Sequence, residues 1–264
     1  MLDKLLKYDL KRLGKELFVG YLVLLAFSIL TRIFAILKDI SSIFSVPYST
    51  MLFVTILLLV GIILFTYFVS IKNFYKSFYK DEAYLVNTLP VSKNNILLSK
   101  IISALIYFCI SLTFVVMAFL ILFYNTSVFT SIEAMLTQVR LELHINALVM
   151  IIIFLIAFAI TYLEYLLLVV AACAIGHTFH KDRIGNSIAF GFLLYFCEQI
   201  VSLIAIALTM VIDSSLFKVL MNKQEFTLKN TVEILIVSFM IYIIMSIAYY
   251  IISKIMLEKK YNLE

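Results

Sequence analysis

The sequence predicts an all-α membrane protein with six transmembrane helices, and three observations lead there. Its residues are 64% hydrophobic and only 14% charged, against about 25% charged in an ordinary globular chain. The mean hydropathy is +1.10. The apolar runs reach the roughly 20 residues that a helix needs to cross a bilayer, and they do not alternate as barrel strands would. The expected spans are Phe18–Leu37, Met51–Ile71, Ile101–Tyr124, Ala147–Ala172, Ser187–Val211 and Val232–Ser253. All belong to a single transmembrane domain covering residues 1–264.

Residues 1–17 lack the apolar core and the small-residue cleavage site of a signal peptide. Leu2, Leu6, Leu10, Leu13 and Leu17 share one helical face, with Lys4, Lys7, Lys11 and Lys15 opposite. This pattern suits an amphipathic helix lying in the inner membrane interface, the alternative being the cytoplasmic end of a longer first helix. Gly14 and Gly20 are the expected bends between that helix and span one. Arg32, near the outer end of span one, is placed to reach the headgroups.

Between spans two and three lies Asn73–Lys100, NFYKSFYKDEAYLVNTLPVSKNNILLSK. It mixes charge, aromatic and turn residues inside an otherwise apolar chain. It is too polar for hydrocarbon and too apolar at Ala83–Leu85 and Leu89–Val91 for an idle linker. A helix over roughly Phe74 to Thr88 should stop before Pro90, which lacks an N–H and drives Leu89 out of the helical region. Ser92 is a good N-cap for the next helix. Asp81 and Glu82, beside Lys76, Lys80 and Lys93, give the segment both signs of charge. The expected object is a cytoplasmic knuckle of short helices that docks on a soluble partner; the plainer reading is a solvated loop whose lysines meet headgroups.

Beyond span three, Thr130 and Glu133 have the spacing of a capping box, and Ile132, Leu136, Val139 and Leu143 repeat at helical intervals. Residues 125–145 therefore read as a short outer helix, either interfacial or re-entrant, or an ordinary loop helix. Spans four and five carry Glu164 and Glu198 at similar depth. Carboxyls in a bilayer are costly and face a cavity or a partner. They could line a substrate path or carry protons; the preferred reading is a protonated or hydrogen-bonded carboxyl that joins the helices, with Tyr162, Tyr165, Tyr195 or Gln199 as partners. The inner loop Gly176–Asn186 is basic, with His180, Lys181 and Arg183 expected to form a second docking point and Gly176 and Gly185 to make its turns. His177 and His180 without a third ligand are a weak metal signal, and no metal is expected.

With six spans both termini share a side, and that side holds 15 of the 21 Lys and Arg residues. The excess assigns the termini and the knuckle to the cytoplasm of a multi-pass plasma-membrane protein. The +5 charge is accounted for by this topology and implies no nucleic-acid partner. With no tryptophan in the chain, an interfacial aromatic belt would use Tyr21, Tyr67, Tyr107, Tyr124, Tyr249 and Tyr250. Cys109, Cys173 and Cys197 read as small buried hydrophobes rather than a disulfide framework. There is no Walker-type phosphate loop, nucleophile elbow or zinc-protease helix, so no enzyme activity and no cofactor are expected in this chain.

The order of parts, together with D-E-A-Y-L-V-N-T-L-P-V-S at Asp81–Ser92 and the ending Lys259–Glu264, resembles the ABC-2 type permease subunits of bacterial ABC exporters. Topologically the resemblance covers the whole chain; in motif it covers about two dozen residues. It implies a homodimer, or a heterodimer with a sister permease, coupled to two copies of an ABC ATPase subunit that binds ATP and Mg. It makes the knuckle a coupling helix, with Asp81, Glu82, Tyr84, Leu85, Leu89, Pro90 and Val91 as the docking residues. Cargo would be an amphipathic peptide or a lipid-like molecule, as for exporters of phenol-soluble modulins or of peptide antibiotics in self-protection. A proton-coupled secondary transporter using Glu164 and Glu198, or a non-transporting membrane scaffold, are the competing expectations.

Overall fold

Long apolar runs in a chain with only six glycines and two prolines have little to interrupt them, and they fold as long helices. The structure, a computed structural model, describes residues 2–80, 82–88, 91–124, 126–143, 146–179, 181–212 and 228–259. In order, the helices are α1 (Leu2–Ile40), α2 (Ser45–Tyr79), α3 (Ala83–Thr88), α4 (Lys93–Phe123), α5 (Ser127–Leu143), α6 (Ala147–Gly176), α7 (Arg183–Ile212) and α8 (Leu228–Lys259), with a 3-10 turn at Ser42–Phe44. Among the described residues, six helices are long and apolar enough to cross a membrane, and they correspond to the six expected spans. Large apolar side chains such as Phe68, Phe192 and Leu203 project outward from them, as lipid-facing residues must.

The chain forms two compact units, Met1–Glu133 and Ala134–Glu264. In the first, α1, α2 and α4 pack against one another. Leu13, Leu17, Tyr21, Leu24, Ile62, Val69 and Ala118 make its core, with Tyr107, Ile110 and Phe114 packed on it. Because lipid is as apolar as leucine, helices in a membrane gain most from close approach and interhelical hydrogen bonds. Small hydroxyl residues supply both. Thr31 bonds Thr55 at 2.7 Å, Tyr21 bonds Ser111 at 2.8 Å, and Thr66 bonds Ser111 at 2.7 Å. Tyr21 also stacks on Phe114, with 4.5 Å between ring centroids. In the second unit α6, α7 and α8 pack mutually.

Several sequence expectations are corrected. Residues 2–17 do not form a helix apart from span one: α1 runs unbroken through Gly14 and Gly20. Its leucine face is covered by protein, with Leu13 and Leu17 buried in the first unit's core. The two glycines admit neighbours rather than bends. A Cβ at Gly14 would collide with the Tyr107 hydroxyl, and one at Gly20 would come within 2.8 Å of Ile62 Cδ1. The helix expected over Phe74–Thr88 is divided, because α2 ends at Tyr79 and Lys80 turns to an extended backbone before α3.

Thr130 is inside α5, bonded back to the Ser127 carbonyl, so the capping box is not that helix's start. Arg32 turns to the C-terminal end of α4, donating to the carbonyls of Leu122 and Tyr124 at 3.4 and 3.2 Å. There a cation meets the negative end of a helix dipole. Tyr21 and Tyr249 are buried, not interfacial. Cys109 and Cys197 are exposed, and only Cys173 is a buried hydrophobe.

Candidate functional site

The knuckle begins where α2 runs out of apolar sequence. Lys80 leaves the helix, and its carbonyl accepts from the Ala83 N–H at 2.8 Å, which starts α3 one tight turn later. Ala83 is buried, and α3 packs on α2. Tyr84, one residue on, is 73% exposed, so α3 presents an aromatic outward from a buried footing. α3 ends at Thr88, as a chain approaching proline should. The Ser92 hydroxyl then accepts from the Asn95 N–H at 3.4 Å, capping α4 as expected.

Glu82 is held by its own chain. Its carboxylate accepts from Arg12 at 2.6 Å and from the Ser77 hydroxyl at 3.3 Å. Partial burial pushes this carboxyl up, but the Arg12 hydrogen bond and charge outweigh it, and the net result is a value below the ordinary 4.5. The bond ties α3 to α1 across 70 residues of sequence. Next to it lies a second tie, fully inside the protein. Ser99 and Lys100 both donate to the Asp9 carboxylate, the lysine at 2.5 Å, and Lys100 also reaches Asn73 at 3.4 Å. Asp9 and Lys100 are 2% and 9% exposed. The Tyr107 hydroxyl donates to the Leu10 carbonyl at 2.8 Å, and Lys72 pairs with Glu16 at 2.8 Å nearer the surface. The amphipathic start of α1 is therefore clasped to the ends of α2 and α4 from which the knuckle hangs.

Of the docking residues expected from sequence, Tyr84 is exposed, Val91 half-buried, and Glu82 turned toward Arg12. Leu85 belongs to α3, but its side chain lies outside the described residues, as do Asp81, Leu89 and Pro90 entirely. In the loop between α6 and α7, Lys181 is exposed and Arg183 opens α7, while His180 lies outside the described residues. The turn is made by Asp182, whose φ is 52°, and not by glycine. Gly176 is the last residue of α6, and a Cβ there would collide with the Ser187 hydroxyl and backbone. Its role is close helix approach. His177 bonds the Cys173 carbonyl at 2.9 Å. Burial holds the imidazole below its ordinary 6.5 against the pull of that carbonyl, and the Arg183 charge adds to the lowering. No group of three or more His, Cys, Asp or Glu side chains suited to a metal occurs among the described residues.

The second unit holds the two carboxyls. Glu164 lies twelve residues before the end of α6 and Glu198 fifteen after the start of α7. Both side chains are fully buried, and the two carboxyls lie within interacting reach of each other. Tyr249 of α8 donates to Glu198 Oε2 at 3.3 Å and to the Leu194 carbonyl at 3.4 Å. Sequence reasoning placed the pair at like depth but missed Tyr249, which it assigned to the membrane surface. It missed Asp9 as well, although on a helical wheel Asp9 falls about 20° from Leu2, at the edge of the leucine face. No family model, curated protein or solved structure matches this chain.

Proposed function

We propose that this chain is the membrane-spanning subunit of an ATP-driven exporter of the ABC-2 type. The observation that carries the reading is α3, a six-residue helix between two membrane-length helices, with Tyr84 directed outward and its base clasped to α1 through Arg12 and Glu82. A helix so exposed at its tip and so tied at its root suits the transmission of a partner's movement into α1, α2 and α4. On this reading two ATPase subunits, which bind ATP and Mg, seat on the knuckles of a homodimer or of a heterodimer with a sister permease. The basic loop at Lys181 and Arg183 is a second contact. The location is a bacterial plasma membrane with both termini cytoplasmic, and the cargo is an amphipathic peptide or a lipid-like molecule. The apolar faces of the six long helices favour such cargo over a hydrophilic one.

The test is co-purification from native membranes with the wild-type chain, with Tyr84→Asp, and with Leu85 and Leu89 both changed to Asp. An ATPase subunit is expected with the wild type and is expected to be lost from the variants. Its absence from the wild type overturns the reading. One observation favours a second reading, a proton-coupled transporter: the buried pair Glu164 and Glu198. That reading predicts transport that follows the proton gradient without any ATPase.

A further inference from the structure

Three helices bring titratable side chains to one place inside the second unit. From α6 come Glu164 and Tyr165, from α7 Tyr195, Cys197 and Glu198, and from α8 Tyr242 and Tyr249; these are the titratable groups that act on one another there. None is a cation, and each of the three ion pairs found among the described residues lies in the first unit. Both oxygens of Glu164 and Oε1 of Glu198 are buried without a hydrogen-bond partner. The Tyr249 hydroxyl donates to the other Glu198 oxygen at 3.3 Å.

An independent observation comes from α8. Ser246, 6% exposed, has a buried hydroxyl with no partner. It sits four residues after Tyr242 and three before Tyr249, on the same helical face, and both tyrosines feel the two glutamates. The unsatisfied hydroxyl therefore shares the helical face of Tyr249, which donates to Glu198.

We propose that Glu164 and Glu198 form a proton-binding site, with one proton held between Glu164 and the Oε1 atom of Glu198. Two carboxylates buried together, with no cation beside them among the described residues, repel each other, and each unpaired charge is costly to bury. A single proton removes one charge. It also supplies the missing hydrogen bond, as an acid O–H on one residue donating to a carboxylate oxygen on the other. Tyr249 holds the second Glu198 oxygen, fixing which atom is left to share. A divalent cation is a poorer fit, since among the described residues no group of three or more His, Cys, Asp or Glu side chains gathers here and beyond the two carboxyls the neighbours are neutral hydroxyls. The site does not depend on the export reading, because a proton here is compatible with either kind of transport.

Infrared difference spectroscopy of the full chain in lipid vesicles at neutral pH tests the site itself. The expected result is a protonated-carboxyl C=O band in the wild type, absent from Glu164→Gln/Glu198→Gln and unchanged when choline replaces Na+. Absence of the band from the wild type overturns the proposal, as does its persistence in the double variant. Loss of the band on adding Na+ assigns the site to that ion instead and also overturns it. Should the double variant fail to reach the membrane, Glu198→Asp keeps the chemistry and moves the carboxyl; the band is then expected to shift, and an unshifted band overturns the assignment.

Discussion

Gly176 and Gly61 stand in similar helical backbone but in opposite surroundings. A methyl group at Gly61 meets nothing within 4 Å, whereas at Gly176 it meets the Ser187 hydroxyl and backbone. Gly61→Ala is therefore expected to raise the melting temperature in detergent, by up to about 1 kcal/mol of helix propensity. Gly176→Ala should lower it by a comparable or larger amount, since α7 must move aside. Glu82 offers a second contrast. Its carboxyl is held below 4.5 by Arg12, so its contribution is complete above pH 4.5 and is lost as the pH falls through the lower folded value. Glu82→Gln should cost less than about 1 kcal/mol at neutral pH, the range of partly exposed pairs. Melting curves of the variant and the wild type should converge on acidification below 4.5. Such pairings were not legible in the sequence. Glu82 looked like a surface acid among Lys76, Lys80 and Lys93, and its actual partner, Arg12, lies 70 residues away, where no local spacing points.

At the scale of elements, periodicity and composition were enough to find all six long helices, and Ser92 marked the start of α4 because capping is local chemistry. The first helix was misread for a physical reason. An amphipathic stripe records that one face is covered, but lipid headgroups and a neighbouring helix cover it equally well. Asp9 at the edge of that stripe distinguishes them, since an acid joining a leucine face needs a partner, and Lys100 supplies it. Removing one member leaves the other charge buried, so Asp9→Asn is expected to destabilise the first unit by about 3 kcal/mol. Asp9→Leu combined with Lys100→Met should recover most of that loss. Equilibrium unfolding in mixed micelles would measure both. Recovery would show the pair to be dispensable for stability and would leave coupling to α3 as the property to assay in the double variant.

Across the whole chain, each unit contains three membrane-length helices, and each buries its own acids: Asp9 against Lys100 in the first, Glu164 beside Glu198 in the second. The first unit neutralises its acid with a lysine, whereas no ion pair to Glu164 or Glu198 is found among the described residues. The topology implied by the lysines is testable in cells. In a cysteine-free background, Ser131→Cys should react with a membrane-impermeant maleimide added outside, and Tyr84→Cys only after permeabilisation. The reverse pattern would invert the protein and remove the knuckle from any cytoplasmic ATPase. The unbroken course of α1 sets a further condition on the first unit. At 39 residues the helix is roughly 58 Å long, nearly twice the hydrocarbon thickness of about 30 Å. Along it Arg12 meets Glu82, Tyr21 meets Ser111 and Thr31 meets Thr55. These meetings share a single phase, because a continuous helix carries no joint at which one end can turn independently of the other. One alanine inserted between Leu24 and Leu25 would advance everything beyond it by about 100°. The chain could then keep its grip on the knuckle or its seat at Thr55, but not both.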